Sequence, residues 1–106
     1  MTLIEVLKIE EINEYTCIQG VPVALSKSDK NYYPRALQFH DEVSKYHREV
    51  YLKKPGAMEV IDCKDERGIF SIPERAGSIL DIKVEGLGEE AARVAMIVYD
   101  YVKELD

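Results

Sequence analysis

The sequence predicts an α+β fold: a two-layer sandwich of order βαββαβα, with an antiparallel four-stranded sheet, helices on one face and an N-terminal extension. Three observations carry that expectation. Val21, Val23 and Leu25, and again Leu80, Ile82 and Val84, alternate with the two-residue period of a half-buried strand. Ala36, Phe39 and Val43, and later Ala91, Val94, Ala95 and Val98, recur at the spacing that places residues on one side of a helix. Turn-forming residues separate these runs, and such a mixture of strands and helices satisfies its apolar faces by laying the helices on the sheet.

The first 20 residues fit neither period cleanly. Their Glu and Leu content leans toward helix, while Ile4, Val6 and Lys8 would also allow a short edge strand. Residues 1–19 are therefore set apart as an extension from a domain at 20–106, and their apolar side chains are expected to dock on it. Gly20 to Ser26 reads as a strand, with Pro22 at an edge or at the strand start because it has no N–H for a ladder. Pro34 to Tyr46 reads as a helix, since proline in the first turn gives up an N–H that has no intrahelical acceptor. Glu49 to Leu52 and Met58 to Cys63 read as paired strands around Lys54-Pro55-Gly56, a sequence with turn chemistry. Asp65 to Ile72 is a short helix with Asp65 as its cap and Pro73 as its stop. Ile79 to Val84 is a strand, and Glu89 to Leu105 a helix with Glu89 and Glu90 at its positive dipole end. Met96, Ile97 and Tyr99 fall outside the main stripe of that helix, so the extension or a second subunit is expected to cover them.

A chain of 106 residues is expected to form one domain. Its net charge of −6 argues against a nucleic-acid backbone as partner, since such a surface would need a basic stripe. Cys17 and Cys63 lie far apart, outside any metal-binding spacing with His40 and His47, and read as reduced thiols. A disulfide between them is left open, because sequence does not set its geometry. The N-terminus has neither a basic region followed by an apolar run nor a small-residue cleavage site, so a cytoplasmic protein without membrane insertion is expected.

Residue identities add a resemblance. Ala36-Leu-Gln-Phe39, Glu42, Val43 and Ser44-Lys-Tyr46 look like the first helix of the HPr phosphocarrier family and its exit. Arg75-Ala-Gly77 before Ile79–Val84 looks like the approach to the last strand of that family. Val84-Glu-Gly86 and Glu89-Glu-Ala-Ala92 look like the entry to its last helix. The match runs from about Val21 to the C-terminus, and the order and spacing of the short motifs carry it.

The resemblance implies the HPr-like sandwich and a role in the sugar phosphotransferase system. In that family a His-x-Arg-Pro-Ala motif opens the first helix. Phosphoenolpyruvate-charged enzyme I phosphorylates the histidine, which passes the group to sugar-transport proteins. A neutral imidazole is a competent nucleophile near pH 7, and the helix N-terminus and the arginine stabilise the phosphorylated form. Aligned on Ala36 and Phe39, this chain has Tyr32 at the histidine position, Pro34 at the arginine position and Arg35 at the proline position. A phenol must lose a proton near pH 10 before it can act likewise.

At the start of the second helix, where many members carry a regulatory serine, stands Asp65. It is a helix cap or a fixed negative charge imitating phosphoserine. The two usually apolar docking positions that follow are Glu66 and Arg67, leaving Ile69 and Phe70 as the apolar candidates.

The expectation is thus a non-catalytic HPr-like regulatory or interaction module with a protein partner, no cofactor, no metal and no catalytic residue; homo-oligomers are compatible with it. Tyr32, Arg35, Asp65 and Phe70 are the candidate anion- or partner-binding residues. Two alternatives stand beside it. One is an atypical phosphocarrier using another residue or register. The other is a small anionic-ligand module built on Arg35 and the helix N-terminus.

Overall fold

The computed structural model describes residues 9–25 and 32–103. They form strands β1 (Ile9–Ile12), β2 (Tyr15–Pro22), β3 (Val50–Lys53), β4 (Val60–Asp62) and β5 (Ile79–Glu85). The helices are α1 (Tyr32–Ser44), α2 (Glu66–Ser71) and α3 (Glu89–Val102), with a 3₁₀ turn at Ile72–Arg75. The sheet is antiparallel, in the order β1-β2-β5-β3-β4.

The sheet has five strands where the sequence predicts four. The helical expectation for the N-terminal region is corrected over residues 9–19, which belong to a β-hairpin; residues 1–8 lie outside the described residues. Asn13 and Glu14 make its two-residue turn, both at positive φ (51° and 68°), as a type I′ turn requires. The boundary at 19/20 falls inside β2, which is interior to the sheet.

The expected strand at Gly20–Ser26 is in fact Tyr15–Pro22, and a bulge explains the misreading. Pairing with β5 shifts register between Ile18 and Val21, so these two core residues are three apart and the period of two is lost. Gly20 sits there at φ 71°, and its N–H donates to Asp81 Oδ1 at 2.9 Å. Val23 and Leu25 are buried beyond the strand. Val23 N–H donates to Ser78 O, Ala24 N–H to Val102 O, and Val23 O accepts from Gly77 N–H.

Thr16, Ile18, Val21, Val50, Leu52, Leu80, Ile82 and Val84 are buried and in register on one sheet face. All but Thr16 join a single core with Ala36, Phe39 and Val43 of α1, Ile69 of α2, and Ala91, Val94, Ala95 and Val98 of α3. Thr16 satisfies its hydroxyl by donating to Gly86 O at 2.9 Å. The opposite face presents Tyr15, Cys17, Tyr51, Lys53, Asp81 and Lys83, with the Lys83 ammonium 4.9 Å from the Tyr15 ring centroid. Cys17 is on that outer face and Cys63 in the core, and neither forms a disulfide. Met96, Ile97 and Tyr99 pack partly buried against the same core.

Helix ends follow local chemistry. Asp65 caps α2, accepting from Arg67 N–H at 3.0 Å. The α-helix ends at Ser71, ahead of Pro73 as expected, and Pro73 lies in the first turn of the 3₁₀ segment Ile72–Arg75, where a missing N–H costs nothing. At α3, Glu89 and Glu90 occupy the first turn, and Glu90 accepts from Arg48 Nε at 2.8 Å. Arg48 Nη1 also donates to Glu85 O, which ties the exit of α1 to the end of β5.

Candidate functional site

The site grows from the first turn of α1. Tyr32 opens that helix and Pro34 follows in its first turn, so the turn has one N–H fewer to offer an anion. The Tyr32 hydroxyl donates to the Phe70 carbonyl at 3.0 Å, and the two rings meet edge to face with centroids 6.2 Å apart. Tyr33 also stacks on Phe70, with ring centroids 5.3 Å apart and an interplanar angle of 9°. These aromatic contacts lock the start of α1 to the end of α2. Tyr33 stays 60% exposed, so the pair presents ring surface to solvent.

Of the four residues expected from sequence, Tyr32 and Phe70 are in direct contact. Asp65 lies at the other end of α2, about 7 Å along the helix axis from Phe70. Its carboxylate is used in capping, and its carbonyl accepts from Ile69 N–H at 3.1 Å. Arg35 faces another way, into a cleft of about 260 Å³ between α1 and α3.

Sequence reasoning missed that cleft. Arg35, Gln38 and Glu42 of α1 line it, opposite Ile97, Asp100 and Tyr101 of α3. Beneath them the Phe39 and Tyr101 rings stack in parallel, centroids 4.1 Å apart. Tyr101 is 7% exposed, and its buried hydroxyl has no hydrogen-bond partner among the described residues. Burial chiefly, and Tyr32 after it, raise the Tyr101 pKa, while the Arg35 charge opposes them. Burial likewise raises the Asp100 carboxyl pKa from its ordinary value. A signal for the α1 side was present: Arg35, Gln38 and Glu42 recur at helical spacing beside the apolar stripe. Tyr101 was hidden because a tyrosine in an apolar stripe reads as core.

Two other nucleophile candidates, His40 and Cys63, are engaged or buried. His40 is partly buried, and its Nε2 lies 3.1 Å from the Lys64 carbonyl, which fixes the proton on that nitrogen. Lys64 Nζ in turn donates to Tyr46 O. Cys63 is fully buried, and burial, with Asp62 after it, pushes its thiol far above the range where thiolate forms. Among the described residues no group of His, Cys, Asp and Glu is placed to hold a metal ion, and no helix is long and apolar enough to cross a membrane. Comparison with protein-family models, with curated proteins and with solved structures gave no match.

Proposed function

We propose that this chain is an HPr-like regulatory or protein-interaction module that works without phosphate on histidine. β1 aside, its elements run β2-α1-β3-β4-α2-β5-α3, the order on which the resemblance rests, with the helices on one sheet face. One observation carries the reading. At the mouth of α1, where the family would present an imidazole, Tyr32 is tied by its hydroxyl to the Phe70 carbonyl and packed in an aromatic cluster. A phenol so held serves to join two helices, and the adjoining exposed Tyr33–Phe70 stack is the apolar surface for a partner.

The test is incubation with phosphoenolpyruvate and enzyme I, read by intact mass. No phosphoryl adduct is expected. An acid-labile adduct that forms rapidly and disappears in His40→Ala or His47→Ala would replace this reading with that of an atypical phosphocarrier.

A further inference from the structure

The end of the sandwich at the β3–β4 turn carries an apolar surface that the proposed function does not use. Lys54-Pro55-Gly56-Ala57 builds that turn. Gly56 follows the proline at φ 80°, as a type II turn requires, and Ala57 N–H closes it by donating to Lys54 O at 3.0 Å. The closed turn fixes the approach to β4 and leaves Met58, just beyond it, 97% exposed. Two more exposed apolar side chains lie at the same end. Val60 opens β4 opposite Lys53, the last residue of β3. Ile79 opens β5, two residues before Asp81, which pairs with Lys53 from the other side. Single exposed apolar side chains are ordinary on a protein surface, but three gathered at one end mark a contact surface.

The same turn borders a cleft of about 260 Å³. Buried Leu52, Ile61 and Leu80 give it an apolar floor, and Ala57 with the exposed Lys54 and Glu59 completes its lining. Neither of these two charges has an ion-pair partner among the described residues. The end thus carries an apolar knob, an apolar hole, one open cation and one open carboxylate. A second copy of this chain supplies the complement of each. In a two-fold contact residue i meets j and j meets i, so every one of these matches is made twice. Methionine suits the knob, since its flexible, polarizable side chain fills irregular apolar gaps. We infer that the β3–β4 end is a homodimer contact, in which Met58 of each copy seats at the cleft of the other and Lys54 of each faces Glu59 of the other. Val60 and Ile79 border the contact. None of the residues at the mouth of α1 takes part, so this inference goes beyond the proposed function and does not rest on it.

Sedimentation equilibrium of the full chain, from about 10 µM to about 1 mM, tests this. A monomer–dimer equilibrium with its midpoint inside that range is expected, as for a contact at the small end of interface sizes. Met58→Asp should weaken dimerisation by about tenfold or more, because it brings a carboxylate to an apolar floor. Lys54→Glu and Glu59→Lys should each weaken it similarly, since each sets like charges across the contact. Mixed in equal amounts, these two charge-reversed variants should form a heterodimer as tight as the unaltered homodimer, because each then offers the charge that the other lacks. All three positions are exposed, and circular dichroism checks that the fold is retained. A chain that stays monomeric up to about 1 mM overturns the proposal and leaves this end to a different protein. A dimer indifferent to Met58→Asp overturns it as well, by placing the contact elsewhere. Failure of the mixed variants to pair overturns the match of Lys54 with Glu59.

Discussion

Tyr101 combines a favourable ring with an unfavourable hydroxyl. Its ring stacks on Phe39, while its oxygen is buried without a partner among the described residues. Tyr101→Phe keeps the ring and removes the unpaired group, so stability should rise by roughly 1 kcal/mol. A higher urea midpoint at unchanged slope would show it, and a loss of stability would mean that the hydroxyl has a partner after all. Tyr51 makes a prediction in pH. Its pKa is pushed up to about 12, first by hydrogen bonding to Glu49 and then by burial, with the Glu49, Asp62 and Tyr15 charges adding to both. The folded state therefore holds this proton more tightly than the unfolded chain, whose tyrosines titrate near 10. Its contribution is complete below about pH 10 and is lost as pH rises from there through about 12. Stability measured across that window should fall less steeply in Tyr51→Phe. The residues that sequence showed best were those with one local duty: Asp65 as a cap needs only its own helix start. Arg35 was legible as a charge but not as part of a cleft, because its neighbours there come from a helix more than 60 residues away in sequence.

Among the elements, α2 shows how tertiary packing overrides propensity. Gly68 lies within this helix, where alanine would ordinarily gain about 1 kcal/mol. A Cβ at Gly68, however, would lie 2.5 Å from the Asp62 carbonyl oxygen and 3.2 Å from Ile61 Cγ2, both on β4. The backbone oxygen cannot rotate away as a side chain can. Gly68→Ala should therefore lower stability by about 1–3 kcal/mol, visible as a fall in melting temperature. An unchanged or higher melting temperature would mean that α2 is free to move off the strand. Periodicity found α1 and α3 within a few residues because each buries a stripe, whereas α2, which buries Ile69, was legible from its Asp65 cap and the Pro73 that follows. It failed at β2, where a bulge resets the phase at Gly20, and at β1, whose Ile-Glu-Glu-Ile offers too few residues to distinguish strand from helix.

For the whole molecule, β1 has the role of an edge cover. It pairs with β2 from Ile9 opposite Ile18 to Ile12 opposite Tyr15, and Ile9 packs against the core. Removing residues 1–12 would leave β2 as the outer strand, with its row of backbone groups unpaired. The expected result is a melting temperature lower by roughly 5 °C or more and increased self-association in sedimentation. If both were unchanged, the hairpin would be dispensable. The strand order has a further consequence, in time rather than in space. β1–β2 and β3–β4 are neighbours in sequence, so each pair can form as soon as it is made. The strand that joins them is β5, whose partners include Thr16 opposite Val84, and it lies between β2 and β3. A ribosome must therefore deliver residue 85 before the two hairpins share a sheet. Until then each exposes the edge that β5 will occupy, and closing a loop of more than 60 residues slows the step that seals it. The central strand arrives late, and the nascent chain is most open to mispairing just before it does.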